Sequence, residues 1–195
     1  MKKYLNICVS CLDFTRYMFS IFKTHDKPYE KEAIQLYTMA MNRARHPYFF
    51  DILDVPDTMD GRFEMLALHV FLIMNRLLEA EDEERGKEVS QALFDVMFAD
   101  MDQSLRQVGL GDMTVPKRVR FLMKGFNGRS HIYAEALKQK TDDSLMAALS
   151  KNVYEGKAEQ EKLKKLTAYI RGCHKGLEKQ SVEPILSGSV NFGEL

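Results

Sequence analysis

Residues 59–78 read MDGRFEMLALHVFLIMNRLL and are apolar on nearly every side, above all in MLALHVFLIM at 65–74. A helix that is apolar around its whole circumference has to be surrounded, by protein or by lipid. This run is too short, and too charged at its ends, for the about 20 residues that cross a bilayer. It therefore reads as the central helix of a helical bundle. His69 lies within it and reads as a core histidine hydrogen-bonded to a neighbour, not as a ligand or catalyst.

The flanking segments supply the partners. From Tyr29 to Arg45, Ala33, Leu36, Tyr37, Ala40, Met41 and Ala44 recur at intervals of three and four, as one helix face requires, and Pro47 stops the run. PYFFDILDVPDTMDGRF at 47–63 carries two prolines and several small acids. We expect a structured loop there, with Tyr48, Phe49, Phe50 and Ile52 tucked inward and Asp57 or Thr58 capping the central helix. EAEDEERG at 79–86 breaks the apolar pattern, and a helix from about Lys87 to Gln107 follows, with Val89, Leu93, Val96, Met97 and Leu105 inward. Gly109 and Gly111 end it.

Thr114 suits an N-cap and Pro116 a first helical turn, so a further helix should run to about Lys138 on Val119, Leu122, Met123, Phe126, Ile132, Tyr133 and Leu137. Gly125 and Gly128 in that helix permit a close approach. TDD at 141–143 can cap a helix through about Tyr154, and residues 158–179 form a last, more polar one. The expected fold is all-α: a single globular multi-helix bundle with a central buried helix and an amphipathic N-terminal segment. Three units are expected: an amphipathic segment and linker at 1–28, the helical domain at 29–180, and a flexible tail at 181–195.

Composition agrees. The chain has 195 residues with 28 bases and 28 acids, which disfavours a binder driven by net charge alone. Gly and Pro number only 11 and 5, a shortage that favours long regular elements. Cys8, Cys11 and Cys173 are too few for a secreted disulfide framework and fit a reducing compartment. Cys8 and Cys11 make a C-x-x-C with no second pair of ligands, so they read as small apolar residues. Around them Leu5, Val9, Leu12, Phe19 and Phe22 share a side, with Lys2, Lys3, Arg16 and Lys23 available for anionic headgroups. The same stretch could instead pack on its own domain.

Familiar catalytic patterns are missing. The sequence has no Glu-x-x-His pair for a di-iron bundle, no H-E-x-x-H, no G-x-S-x-G and no D-D-x-x-D. Asp100 and Asp102, two apart on a helix, point to different sides. The charge map is more telling. From Glu79 to Asp102 nine acids face two bases, whereas 117–129 holds Lys117, Arg118, Arg120, Lys124 and Arg129 with no acid. Either the two helices neutralise each other, or the basic one meets anionic lipid, RNA or an acidic protein. Twelve methionines suit a groove that accepts apolar helices, although plain core packing explains most of them.

Three blocks then carry a resemblance: VPDTMDGRFEMLALHVFL at 55–72, LFDVMFADMDQSLRQVGLGDMTV at 93–115, and the F-x-G-R of Phe126, Gly128 and Arg129. They occur in order over about 100 residues, and through them the chain resembles the ubiquinol-cytochrome c chaperone family. Glu64 stands where that family commonly has Asp, and Gln107 where it has Glu. The resemblance implies an all-helical, non-enzymatic assembly chaperone for the cytochrome bc1 complex, respiratory complex III, that binds newly made cytochrome b. It implies no cofactor and no catalytic residue. Asp57, Asp60, Gly61 and Arg62 are expected to order the turn into the central helix. His69, Asp100 and Asp102 are expected as network residues, and Lys117, Arg118, Arg120, Lys124 and Arg129 as the contact surface. A second assembly factor, the ribosome and a peripheral membrane contact stand as further partners, with no DNA. The expected location is the bacterial cytoplasm beside the inner membrane, or the matrix side of that membrane in a mitochondrion; the missing Arg-rich presequence favours the former. Two other classes remain open: a membrane-peripheral helical enzyme of lipid or quinone metabolism, and a ribosome- or RNA-associated module.

Overall fold

The computed structural model describes residues 28–195. The amphipathic stretch expected ahead of them, with Cys8 and Cys11, lies outside the described residues. The described residues form helices α1 (Glu30–Ala44), α2 (Met59–Leu77), α3 (Glu83–Gln107), α4 (Val115–Lys138), α5 (Asp143–Val153), α6 (Gln160–Lys179) and α7 (Val182–Leu186), with a π-helical turn at Tyr48–Ile52 between the first two. No strand occurs among them. None of these helices is long and apolar enough to cross a membrane.

Helix α2 is the axis of the bundle. Among the described residues it packs against every other helix, and Phe63 through Met74 are buried without interruption. Its start is set locally: Thr58 is extended, and its hydroxyl accepts the Gly61 N–H at 3.1 Å, satisfying one of the donors a helix start leaves unpaired. His69 is fully buried and sits where the sequence places it. Burial pushes its imidazole down to about 4, so the ring is neutral. Its Nδ1–H then donates to the Met65 carbonyl at 2.7 Å and its Nε2 accepts from the Tyr169 hydroxyl at 2.8 Å.

Helix α3 starts earlier than the sequence suggests. The acidic run does not precede the helix but forms its first turn: Asp82 accepts the Arg85 N–H at 3.1 Å, and Glu83 and Glu84 face the positive end of the helix dipole. The loop before α2 also differs from expectation. Phe49 is fully buried against His69 and Tyr169, but Ile52 is half exposed, because a five-residue π turn rotates it outward. Ile132 of α4 likewise faces solvent.

The largest correction concerns residues 181–195, expected as a flexible tail. They form α7 and then a strap whose Ile185, Leu186, Val190 and Phe192 are buried. The Gln180 side chain clamps the Asn191 backbone from both sides, at 2.6 and 3.1 Å, and Arg43 donates to the Gly193 carbonyl. Phe192 stands edge-on to the His69 ring at 5.1 Å. Four apolar residues spread over eight positions show no helical period, which is why their burial is not legible locally.

Candidate functional site

A deep concavity lies where four elements meet: the last turns of α1, the entry into α2, the C-terminal end of α3 and the start of α4. It encloses about 400 Å³ and is open on one side. Apolar side chains dominate its wall. Met41 comes from α1, Met59, Phe63 and Leu66 from α2, Met101, Leu105 and Val108 from α3, and Leu122 from α4. Met59 and Val108 form part of the mouth, each more than half exposed.

The three acids of the wall are each engaged by a neighbouring side chain. Asp57 takes a bidentate hydrogen bond from Arg62, at 2.5 and 3.0 Å, which holds its carboxyl below the usual carboxylate range. Asp60 pairs with Arg118 of α4. Asp100 accepts the Tyr37 hydroxyl proton at 2.6 Å, and burial together with this bond raises the phenol's pKa. Each acid lining this cleft is thus directed at a neighbouring side chain. What remains available is an apolar, methionine-rich surface with a rigid polar frame.

The expected site residues separate into three groups. At the entry into α2, Asp57 pairs with Arg62, the Gly61 N–H donates to Thr58, and Asp60 reaches across to Arg118 of α4. Asp100 reaches α1 through Tyr37, whereas Asp102 pairs within its own helix with Arg106 at 2.6 Å. Of the basic set, Lys117, Arg120 and Lys124 are exposed and Arg118 is half-buried at the cleft. Arg129 departs from the expected contact surface: its guanidinium turns inward to Glu64 of α2 at 2.8 Å. The pairs that Arg118 and Arg129 make thus run from α4 to α2, not to the acid-rich α3.

The Glu64 to Arg129 pair escaped the sequence reading. Glu64 is buried, and burial pushes its carboxyl up to about 7 despite the opposing pull of the arginine. Glu64 Oε2 and Arg129 Nη1 have no hydrogen-bond partner among the described residues. Gly125 makes room for the guanidinium, since a Cβ there would lie 2.8 Å from Arg129 Nη1. The available signal was an acid inside the apolar run of α2, which requires a cation from another element.

A second, shallower depression of about 460 Å³ lies between α6 and the C-terminal strap. Its Cys173 thiol donates to the Phe192 carbonyl at 3.2 Å, and burial raises its pKa. Among the described residues no group of His, Cys, Asp or Glu is gathered for a metal ion.

The cleft falls largely within the part of the chain that known proteins share. Residues 51–192 match the family described as ubiquinol-cytochrome C chaperone. The chain is 26% identical over 140 residues to ubiquinol-cytochrome-c reductase complex assembly factor 1 of Xenopus laevis, covering 71% of this chain and 68% of that one. It is 25% identical to the Mus musculus protein of that name over 84% of its own length, and spans 55% of that relative. Among solved structures, the Cbp3 homolog from Brucella abortus superposes with a TM-score of 0.76 at 31% identity, covering 95% of this chain and 97% of that one. A family match over residues 51–192, well over half of the chain, settles the kinship: the chain belongs to the ubiquinol-cytochrome C chaperone family.

Proposed function

We propose that this protein is an assembly chaperone for the ubiquinol-cytochrome c reductase complex and that its cleft holds an apolar helical segment of newly made cytochrome b. The observation that carries the reading is the methionine-lined cleft at the junction of α1, α2, α3 and α4. Long thioether side chains adapt to varied apolar shapes, and a cavity of this size takes a few side chains from one face of a helix rather than the whole helix. A multi-helix membrane subunit exposes such faces until its partners arrive. The names of the relatives support the identity of the complex, and the engaged acids of the cleft support a holding role without catalysis. On this reading the protein works in the bacterial cytoplasm beside the inner membrane, where its client inserts.

Met59 and Val108 allow a test that spares the fold, because both are more than half exposed. The double variant M59E/V108E should retain its helical circular dichroism while client capture weakens about tenfold, the loss expected when apolar anchors are made charged. Photo-crosslinking from position 59 in the cells of origin should recover cytochrome b. Normal levels of assembled complex in cells carrying only the double variant would refute the assignment.

A further inference from the structure

We propose that the outer face of α4 is a docking surface for an anionic phospholipid bilayer. From Met113 to Ala134 the chain contains no acid, and Lys117, Arg120 and Lys124 are exposed within that stretch. Large apolar side chains stand among them in solvent: Met113 is 81% exposed, Phe121 62% and Ile132 49%. At about 100° per residue, Phe121 and Ile132 fall within about 20° of each other around the helix, and Lys117 and Lys124 lie within about 60° on one flank. The face is thus a stripe of apolar tips edged by lysines. Glu135, which ends the acid-free stretch, is itself paired with Lys138 at 2.6 Å.

This arrangement matches what a lipid interface requires. Apolar tips enter the acyl boundary, while lysine stems extend along it and bring the ammonium groups to the phosphates. Arg118 buttresses the stripe: it pairs with Asp60 and covers the Phe121 ring at 5.3 Å. RNA would share the attraction to the basic residues, but one face of the Phe121 ring is covered by Arg118 and Met113 and Ile132 offer no flat ring on which a nucleobase could stack. The inference goes beyond the client reading, since it concerns a different surface and holds or fails whatever the cleft binds.

The chain contains no tryptophan, so F121W in the full-length protein carries a single indole as reporter. With vesicles of phosphatidylcholine mixed with phosphatidylglycerol, its emission should move to shorter wavelength and be quenched by lipids brominated in their acyl chains. Pure phosphatidylcholine vesicles should have little effect. Adding K117E and K124E, both at exposed positions, should lower partitioning about tenfold or more while circular dichroism stays unchanged. Three outcomes would overturn the proposal: vesicle binding with an unaltered indole, partitioning insensitive to the two reversals, or a stronger indole response to ribosomal RNA than to the vesicles.

Discussion

Replacing Arg129 with Met should destabilise the protein by about 3 kcal/mol at pH 8 and by about half as much at pH 5. Removing one member of a buried ion pair generally costs about 3 to 5 kcal/mol, because the remaining charge is left in a poorly solvated place. Glu64 can escape part of that cost by taking up a proton, which puts the expected loss at the lower end. At pH 5 its carboxyl is protonated with or without the arginine, as its pKa of about 7 in the folded protein requires, so little electrostatic cost remains. Met keeps a long unbranched side chain without the charge, so the change tests charge more than volume. Urea unfolding at the two pH values measures the difference, and an equal loss at both would show that the pair is not the source.

Glu64→Gln should behave in the opposite sense. The folded pKa of Glu64 is raised, so between about 4.5 and about 7 the folded protein holds a proton that the unfolded chain has released. Raising pH through that window favours unfolding, by about 3 kcal/mol in total from this group. The amide does not titrate, so the stability of E64Q relative to wild type should rise with pH across the window and level off above it. Asp95, raised by burial to about 7, acts in the same direction as Glu64. His69, lowered to about 4, contributes stability that is lost as pH falls through the range from 6.5 to 4. Both are present in either protein, so they cancel in the difference.

Gly61→Ala should lower stability by about 3 kcal/mol, or the melting temperature by about 10 °C for a chain of this size. Alanine in a helix ordinarily gains about 1 kcal/mol over glycine. Here a Cβ would lie 2.0 Å from the Pro56 carbonyl oxygen, a backbone atom that cannot swing aside. The loop that carries it is anchored by the bond from Val55 N to the Phe49 carbonyl at 2.9 Å and by the Tyr154 hydroxyl on the Leu53 carbonyl at 2.9 Å. Because Gly61 lies between the Asp57 to Arg62 and Asp60 to Arg118 pairs, the strain should also disturb the cleft. Gly128→Ala is the control. A Cβ there meets nothing within 4 Å, so the same substitution should stabilise the protein by up to about 1 kcal/mol. Thermal unfolding of both variants checks the contrast, and equal shifts would argue against the close approach at Pro56.

Much of this protein was legible along the chain because it depends on neighbours in sequence. The apolar character of residues 65–74 is enough to place α2 at the centre and to enclose His69, and residue type narrows its cap to Asp57 or Thr58, since these are local properties that survive any choice of partner. The blocks that carry the family resemblance are local in the same way. What only the packed structure decided are relations between elements. Glu64 and Arg129 are an acid and a base 65 positions apart, and nothing in either helix alone states that they face each other. The cleft likewise exists because the ends of α1 and α3 meet the starts of α2 and α4, and the strap from Val190 to Gly193 is ordered by Gln180, Arg43 and the His69 ring rather than by any period of its own. Charge and hydropathy patterns tell a residue how costly its exposure would be; which surface relieves that cost is determined when the helices close around α2.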